Sequence, residues 1–292
     1  MMTHKYWPCW LLAGLLLPLL PAHAADAPGK GKAADPSKAA DASGAGKADT
    51  GAGKADAGAG KADDGTLTPD RPGFTNGGDT VAPGHIQIEV GISRTKYAAA
   101  NGLGQATDAP QVLLRTGLNA KTELRVTLPD YIWPSGGAAG FGDGAIGIRY
   151  KFYQSKDGNT KLAFTPSLSV PLRSAVTTSG HVDPVLSLNA QTTSGARWSL
   201  GSNLIVSYPT QNGGRVTDYT VTGQVTYALS GLLAVYGDYY YDVPVGGPPS
   251  PIADSGFTYR VAKNVQLDIG TGRGLGGNAL VQFYSGGVAV RF

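Results

Sequence analysis

The sequence predicts an all-β chain: a transmembrane antiparallel β-barrel of about twelve strands behind a disordered N-terminal tail. Three observations carry that prediction. Apolar and polar residues alternate with period two in one segment after another, the connections between segments alternate short and long, and aromatic residues gather at both segment ends.

Composition agrees. Of 292 residues, 43 are Gly, 14 are Tyr and only 15% are charged, which suits tight turns and aromatic anchors. The formal charge of +3, with no concentrated basic patch, argues against nucleic acid as a partner. Past the N-terminus no apolar run approaches the length of a membrane helix, so a chain that spans a membrane must do so with strands.

Residues 1–24 read as a secretory signal peptide. Lys5 is positive, the apolar run Trp10–Leu20 is too short to cross a bilayer, and Ala22-His23-Ala24 supplies small residues for cleavage. Cys9, the only cysteine, leaves with it, so neither a disulfide nor a cysteine-metal site is expected. No cofactor or metal motif appears elsewhere: Gly270-Thr271-Gly272-Arg273-Gly274 follows a strand but opens no helix.

Residues 25–67 form a linker of Ala, Gly, Lys and Asp in which G-A-G-K-A-D recurs at 44–49, 51–56 and 58–63. The period is seven, yet no large apolar residue marks a seam, so a coiled coil has nothing to bury. Acids and bases nearly balance, and a flexible, disordered tether is expected.

The barrel domain covers 68–292. Its opening, through Asp70-Arg71-Pro72-Gly73-Phe74-Thr75 and Thr80-Val81-Ala82-Pro83-Gly84, is turn-rich. The strand predicted at 86–96 alternates without error, with Ile86, Ile88, Val90 and Ile92 on one face and Gln87, Glu89 and Gly91 on the other. Strands follow at 111–118, at 122–131 with Leu124, Val126 and Leu128 in phase, and at 144–153. In 160–172, Leu162, Phe164, Leu168 and Val170 keep the same beat. The remaining strands are placed at 182–191, 196–208, 216–228, 232–242, 254–261, 265–272 and 280–292. Most reach the roughly 9–11 residues that a tilted strand needs to cross an outer membrane.

Short turns lie at Asn119–Lys121, Thr192–Gly195, Leu229–Gly231 and Ala262–Asn264, with a slightly longer one at Gln154–Asn159, while Tyr97–Pro110, Ile132–Asp143 and Val243–Ala253 are longer and richer in Gly and Pro. A soluble tail puts the start of the first strand in the periplasm. The long connections then face outward, and an even strand count returns Phe292 to the periplasmic rim. Tyr150, Phe152, Trp198, Tyr227 and Tyr259 fall near the periplasmic ends; Tyr97, Tyr131, Tyr208, Tyr219, Tyr239, Tyr241 and Phe257 fall near the outer ends. Val281 and Phe283 are out of phase with Val288 and Val290, so a bulge is expected at Gly286-Gly287. The ending on Phe292 resembles the C-terminal signal of outer-membrane barrels, which implies the barrel-assembly machinery as a partner, beside outer-membrane lipid and a small-molecule solute.

The apolar faces carry essentially no mid-strand charge, and the charges sit opposite: Glu89, Arg115, Glu123, Arg125, Arg149, Lys161, Asp238 and Asp268. With Tyr236 and Tyr240, which share the inner face of one strand with Asp238, they are the candidates for lining a transport path. Twelve strands leave room for a narrow lumen, and these charges can either line a polar path or pair and plug it.

The run Asp70-Arg71-Pro72 with Phe74-Thr75, then Asp79-Thr80-Val81-Ala82-Pro83-Gly84 feeding Gln87-Ile88-Glu89-Val90-Gly91, resembles the opening of the outer-membrane transporter family named after the meta-pathway of phenol degradation. Arg115-Thr116-Gly117-Leu118 with Glu123-Leu124-Arg125-Val126 is similar to its second hairpin, and Gly142-Asp143-Gly144 with Gly147-Ile148-Arg149-Tyr150 to its fourth strand. The resemblance covers roughly 68–292 and implies a channel or transporter for small hydrophobic or aromatic compounds.

Two rivals need weighing. A phospholipase-like outer-membrane hydrolase needs a nucleophile beside a base, and the chain beyond the signal offers only His85 and His181, the latter near Ser179 and Asp183. No catalytic residue is assigned on that basis. A structural or surface-binding barrel without a pore would carry the same alternation.

Overall fold

The computed structural model describes residues 67–98, 104–172, 178–211, 213–245, 248–276 and 280–292. The expected signal peptide and all of the expected linker except Leu67 lie outside the described residues.

The described residues form sixteen strands and no helix: β1 (Ile86–Tyr97), β2 (Gln105–Asn119), β3 (Thr122–Leu128), β4 (Tyr131–Pro134), β5 (Gly140–Phe141), β6 (Gly144–Gln154), β7 (Thr160–Val170), β8 (Pro184–Ser194), β9 (Trp198–Ser207), β10 (Thr210–Gln211), β11 (Gly214–Arg215), β12 (Asp218–Ala228), β13 (Leu233–Pro244), β14 (Ser250–Ala262), β15 (Val265–Gly274) and β16 (Leu280–Arg291). Twelve of them, β1–β3, β6–β9 and β12–β16, run antiparallel in chain order, and β16 pairs with β1 from Gln87↔Arg291 to Tyr97↔Leu280 to close the ring. Closure leaves no open edge, which is what a sheet in lipid requires. The last residue takes part: Phe292 N–H donates to the Ile86 carbonyl at 2.8 Å and Ile86 N–H returns the bond at 3.2 Å.

All twelve expected strands are present, and the differences lie at their ends. The third stops at Leu128 rather than 131 because Pro129 offers no N–H to the ladder. The chain after it is not a plain loop: β4 and β5 fold onto the end of β2, with Ala106 opposite Pro134 and Tyr131 opposite Phe141. β2 itself begins at Gln105, six residues early. Its alternation is hidden in the sequence because the pairing slips where Ala109-Pro110 stands opposite Ile92. β14 starts at Ser250 rather than 254, which moves Phe257 from a strand end to mid-strand.

The expected bulge at Gly286-Gly287 is absent. Register on β16 is continuous through both glycines against β1 and β15. Phe283 is out of phase with Val288 and Val290 because it faces the interior, where it is buried. Among the described residues it packs with Tyr240 and Ile252, and with half-buried Phe74 and Leu280. An apolar residue in the lumen, not an extra residue in the strand, explains the broken beat.

The outer wall is apolar and the inner wall polar, as the period-two pattern dictates. Ile148, Leu188, Val225 and Leu267 are exposed on the outside, whereas Gln87, Asn189, Asn203 and Thr222 are fully buried inside. At the rim of short turns, the Trp198 and Tyr227 rings pack tilted at 54° with centroids 4.6 Å apart, and Tyr150, Phe152 and Tyr259 are exposed at the same rim. At the long-loop rim, Tyr239 and Tyr241 stack at 6.4 Å, with Tyr208 and Tyr219 exposed. These are the two aromatic girdles of a barrel in lipid.

Candidate functional site

The candidate site is the lumen, and the chain occupies its own lumen. Residues 67–84 precede β1 and fold upward into the barrel from the short-turn rim, returning to that rim at Pro83, which bridges to Gly117. Inside, the loop closes on itself where Gly77 N–H donates to Asp70 Oδ1 at 3.1 Å. A loop in this position cannot form strand or helix bonds, so its backbone needs side-chain partners. The inner wall supplies them. Asp70 and Arg71 N–H donate to Glu89, Phe74 and Thr75 N–H to Asp238, Asn76 N–H to Asn203, Gly78 N–H to Gln191 and Val81 N–H to Glu123, at 2.7–3.1 Å. In return Arg115 donates to the Thr68 carbonyl at 2.5 Å, and Asn203 to the Asn76 carbonyl at 2.8 Å.

Charge organises the contact. Arg115, Arg125 and Arg149, on adjacent strands β2, β3 and β6, surround the Asp70 carboxylate at 3.7, 2.6 and 2.9 Å. The same arginines reach Glu123 at 2.9, 2.8 and 3.7 Å, and Arg115 reaches Glu89 at 3.0 Å. Three wall arginines against two wall glutamates leave one positive charge, and Asp70 balances it. Next to this cluster, Asp79 bridges Lys151 at 2.7 Å and also pairs with Lys161. Burial raises the Asp70 carboxyl, but Arg115, Arg149 and Arg125 outweigh it and hold the group far below the usual carboxylate range. Asp79 is likewise lowered, with Lys151 and Lys161 overcoming the effect of burial.

On the adjoining stretch of wall, β1–β16–β15, the signs reverse. Arg71 pairs with Asp268 at 3.1 Å and also donates to Gln111 and the Gly286 carbonyl at 3.3 and 3.2 Å. Its guanidinium lies flat on Gly91 and Gly287, which are opposite each other across the β1–β16 closure; a Cβ at either position would collide with it. The Phe74 ring sits 5.5 Å from both Tyr240 and Phe283. Beneath it, Tyr236 occupies a slot made by Gly256 and Gly270, where a Cβ would strike its ring or hydroxyl.

The ten residues expected to face the lumen all do so. Glu89, Arg115, Glu123, Arg125, Arg149, Lys161, Asp238 and Asp268 each hold the loop directly, Tyr240 packs on Phe74, and Tyr236 is buried beside them. The turn-rich sequence of 67–84 did not disclose the other half of the site: Asp70, Arg71, Phe74, Thr75 and Asp79, with Lys151, Gln191 and Asn203 from the wall. Among the described residues, cavities flank the loop. One of about 210 Å³ lies toward the long-loop rim over Asn76, Arg125 and Arg149, and is walled by Ser167, Ser187, Ser207 and other small polar residues. One of about 280 Å³ lies toward the short turns, lined by Leu67, Ser199, Thr226 and Arg260. The third, about 200 Å³, is a side space between Arg71, Asp108, Arg125 and Asp130.

The Ser179–His181 pair does not assemble a nucleophile and base. The hydroxyl meets the carbonyl and N–H of His181, both at 3.2 Å, so the contact is a loop turn to its backbone.

Solved structures with the same architecture include the COG4313 outer membrane channel from Pseudomonas putida F1 (TM-score 0.56, 14% identity, 74% of this chain and 98% of that one). The KdgM porin is similar at TM-score 0.50 and 11% identity, over 70% of this chain and 99% of that one. The NanC porin matches at TM-score 0.50 and 9% identity, over 70% and 98%. No curated protein matches the chain. The model of the family described as "Putative MetA-pathway of phenol degradation" matches residues 69–292, the whole described barrel with its inner loop, and the chain belongs to that family of outer-membrane β-barrels.

Proposed function

We propose that the protein is an outer-membrane channel for small solutes, closed at rest by its own residues 67–84, with the short-turn rim and the N-terminal tail in the periplasm. The single observation that carries this reading is the Asp70 carboxylate among Arg115, Arg125 and Arg149. A wall built only for stability gains little from a buried charge cluster whose last counterion is a separate loop. A wall that binds an anionic group, occupied at rest by a group from the chain itself, needs that arrangement.

The loop also describes its replacement. It presents a carboxylate to three arginines and an aromatic ring to Tyr240 and Phe283. A small aromatic compound bearing an acidic group meets both surfaces, which sharpens the family's suggested preference for aromatic compounds. Arg115, Arg125 and Arg149 then bind the acid, Tyr240 contacts the ring, and the serine-walled cavity above leads to them.

The test is a lock. Cys9 is the only cysteine of the sequence, and Thr75 on the loop touches the Thr222 hydroxyl on β12. A Thr75→Cys/Thr222→Cys variant is oxidised and studied in planar bilayers. Silence when oxidised and channel openings after reduction support the reading; equal conductance in both states contradicts it.

A further inference from the structure

The outer wall carries a second charged feature, unrelated to the lumen. Strand periodicity puts Arg94, Lys96 and Arg273 on the lipid-facing side, and all three are exposed. They lie together. Lys96 is opposite Gln282 on β16, and Gln282 is opposite Arg273 on β15, so the two cations are two strand spacings apart, about 10 Å. Arg94 is two residues along β1 from Lys96, about 7 Å. All three sit at the long-loop end of the barrel closure.

No described residue neutralises them there. The acids of these strands, Glu89 and Asp268, face the lumen and are buried. Arg94 is held by the Gln105 side chain at 3.0 and 3.2 Å, which orients its guanidinium without removing its charge. Gln282 donates to the Tyr284 hydroxyl at 2.7 Å. Toward the midplane the same strip turns apolar: Ile92, Ile269 and Tyr284 are 51%, 63% and 58% exposed. Elsewhere around the long-loop rim, exposed strand residues include the apolar or aromatic Val170, Leu186, Tyr219 and Tyr239, and the exposed Arg215 is paired with Asp183.

A cation on the lipid face is tolerated near the interface and costs energy at the midplane. Three of them, two on β1 and one on β15 across the intervening β16, above an exposed apolar strip, match a lipid with a phosphorylated headgroup and several acyl chains. Resting on the orientation proposed above, we propose that Arg94, Lys96 and Arg273 dock the phosphate groups of an outer-leaflet glycolipid, whose acyl chains lie along Ile92, Ile269 and Tyr284.

The test compares wild type with an Arg94→Gln/Lys96→Gln/Arg273→Gln variant, each purified as a folded barrel showing heat-modifiable migration. Binding of bis-phosphorylated lipid A is measured by native mass spectrometry. Dephosphorylated lipid A, phosphatidylglycerol and inorganic phosphate serve as competitors. At a few-fold per cation near an anionic surface, the triple variant is expected to bind roughly 100-fold more weakly, and the dephosphorylated lipid to compete poorly. Equal binding by the variant, or equal competition by phosphatidylglycerol or free phosphate, overturns the proposal. If the triple variant does not fold, Arg273→Gln alone is used, with an expected loss of a few-fold against none. Orientation is read separately by labelling Ser179→Cys and Lys156→Cys variants in intact cells with an impermeant maleimide. Labelling at 179 alone, with unchanged lipid binding, rejects the docking site and keeps the orientation. Labelling at 156 alone rejects the orientation and the docking site with it.

Discussion

Replacing Asp70 with Asn removes the charge that balances the arginine cluster while keeping the side chain's size. Asp70 contacts Arg149 and Arg125 at 2.9 and 2.6 Å and Arg115 at 3.7 Å, and its side chain is 6% exposed. Without it the three arginines face only Glu89 and Glu123. An unbalanced buried charge costs about 3–5 kcal/mol. Asn still accepts the bond from Gly77 N–H, so the lower end, about 3 kcal/mol, is the better figure. At 1.4 kcal/mol per tenfold, the ratio of loop-out to loop-in states should rise roughly 100-fold. The variant should therefore open far more often in planar bilayers and pass anions preferentially, while its barrel remains heat-modifiable. Because the Asp70 carboxyl is lowered, its contribution is complete above the ordinary carboxylate pKa and is lost only as pH falls through its depressed value. Wild-type closure should accordingly be flat from pH 5 to 8. An open probability within twofold of wild type for Asp70→Asn refutes the counterion argument.

Phe74→Ala removes the ring that Tyr240 and Phe283 enclose, and should destabilise the closed loop by about 2–4 kcal/mol, read as faster hydrogen exchange of the 70–78 backbone. Gly287→Ala puts a methyl group where the Arg71 guanidinium lies, so Arg71 should leave Asp268 and closure should weaken. An Arg71→Ala background should then show no added effect of the alanine on bilayer openings. Asp130, in the connection between β3 and β4, is raised to about 9, first by burial and then by the neighbouring Asp108. A carboxyl raised on folding binds more protons in the folded state, so its cost is absent below the ordinary carboxylate pKa, grows as pH rises and levels off above about 9. Asp130→Asn should gain urea resistance over wild type across that window, and a pH-independent difference between the two contradicts this.

The barrel was legible because lipid imposes a rule that a single sequence can display. Ile86, Ile88, Val90 and Ile92 must face outward together, so strand identity and facing follow from period two. The ends were harder: Pro129 stops β3, and the slip at Ala109-Pro110 hides six residues of β2. The inner loop was not legible, because its bonds run from backbone groups to side chains as far as 195 residues away, as between Arg71 and Gln266, and no local period records them. Two traces of it stood in the sequence. Gly91 and Gly287 on the inner face mark places where something presses against the wall, and Phe283 is an apolar residue on a polar face. Both are explained by Arg71 and Phe74.

The central claim, that residues 67–84 fill the lumen, is tested most directly by hydrogen exchange of the full-length protein in outer-membrane vesicles. The amides of Asp70, Arg71, Phe74, Thr75, Asn76, Gly78 and Val81 all donate to wall side chains inside the lumen. Peptides covering 68–82 should exchange slowly, on the timescale of the barrel strands and far behind the turn at Gln154–Asn159. Exchange of those peptides at the rate of an unstructured chain, with the strands still protected, would contradict the account.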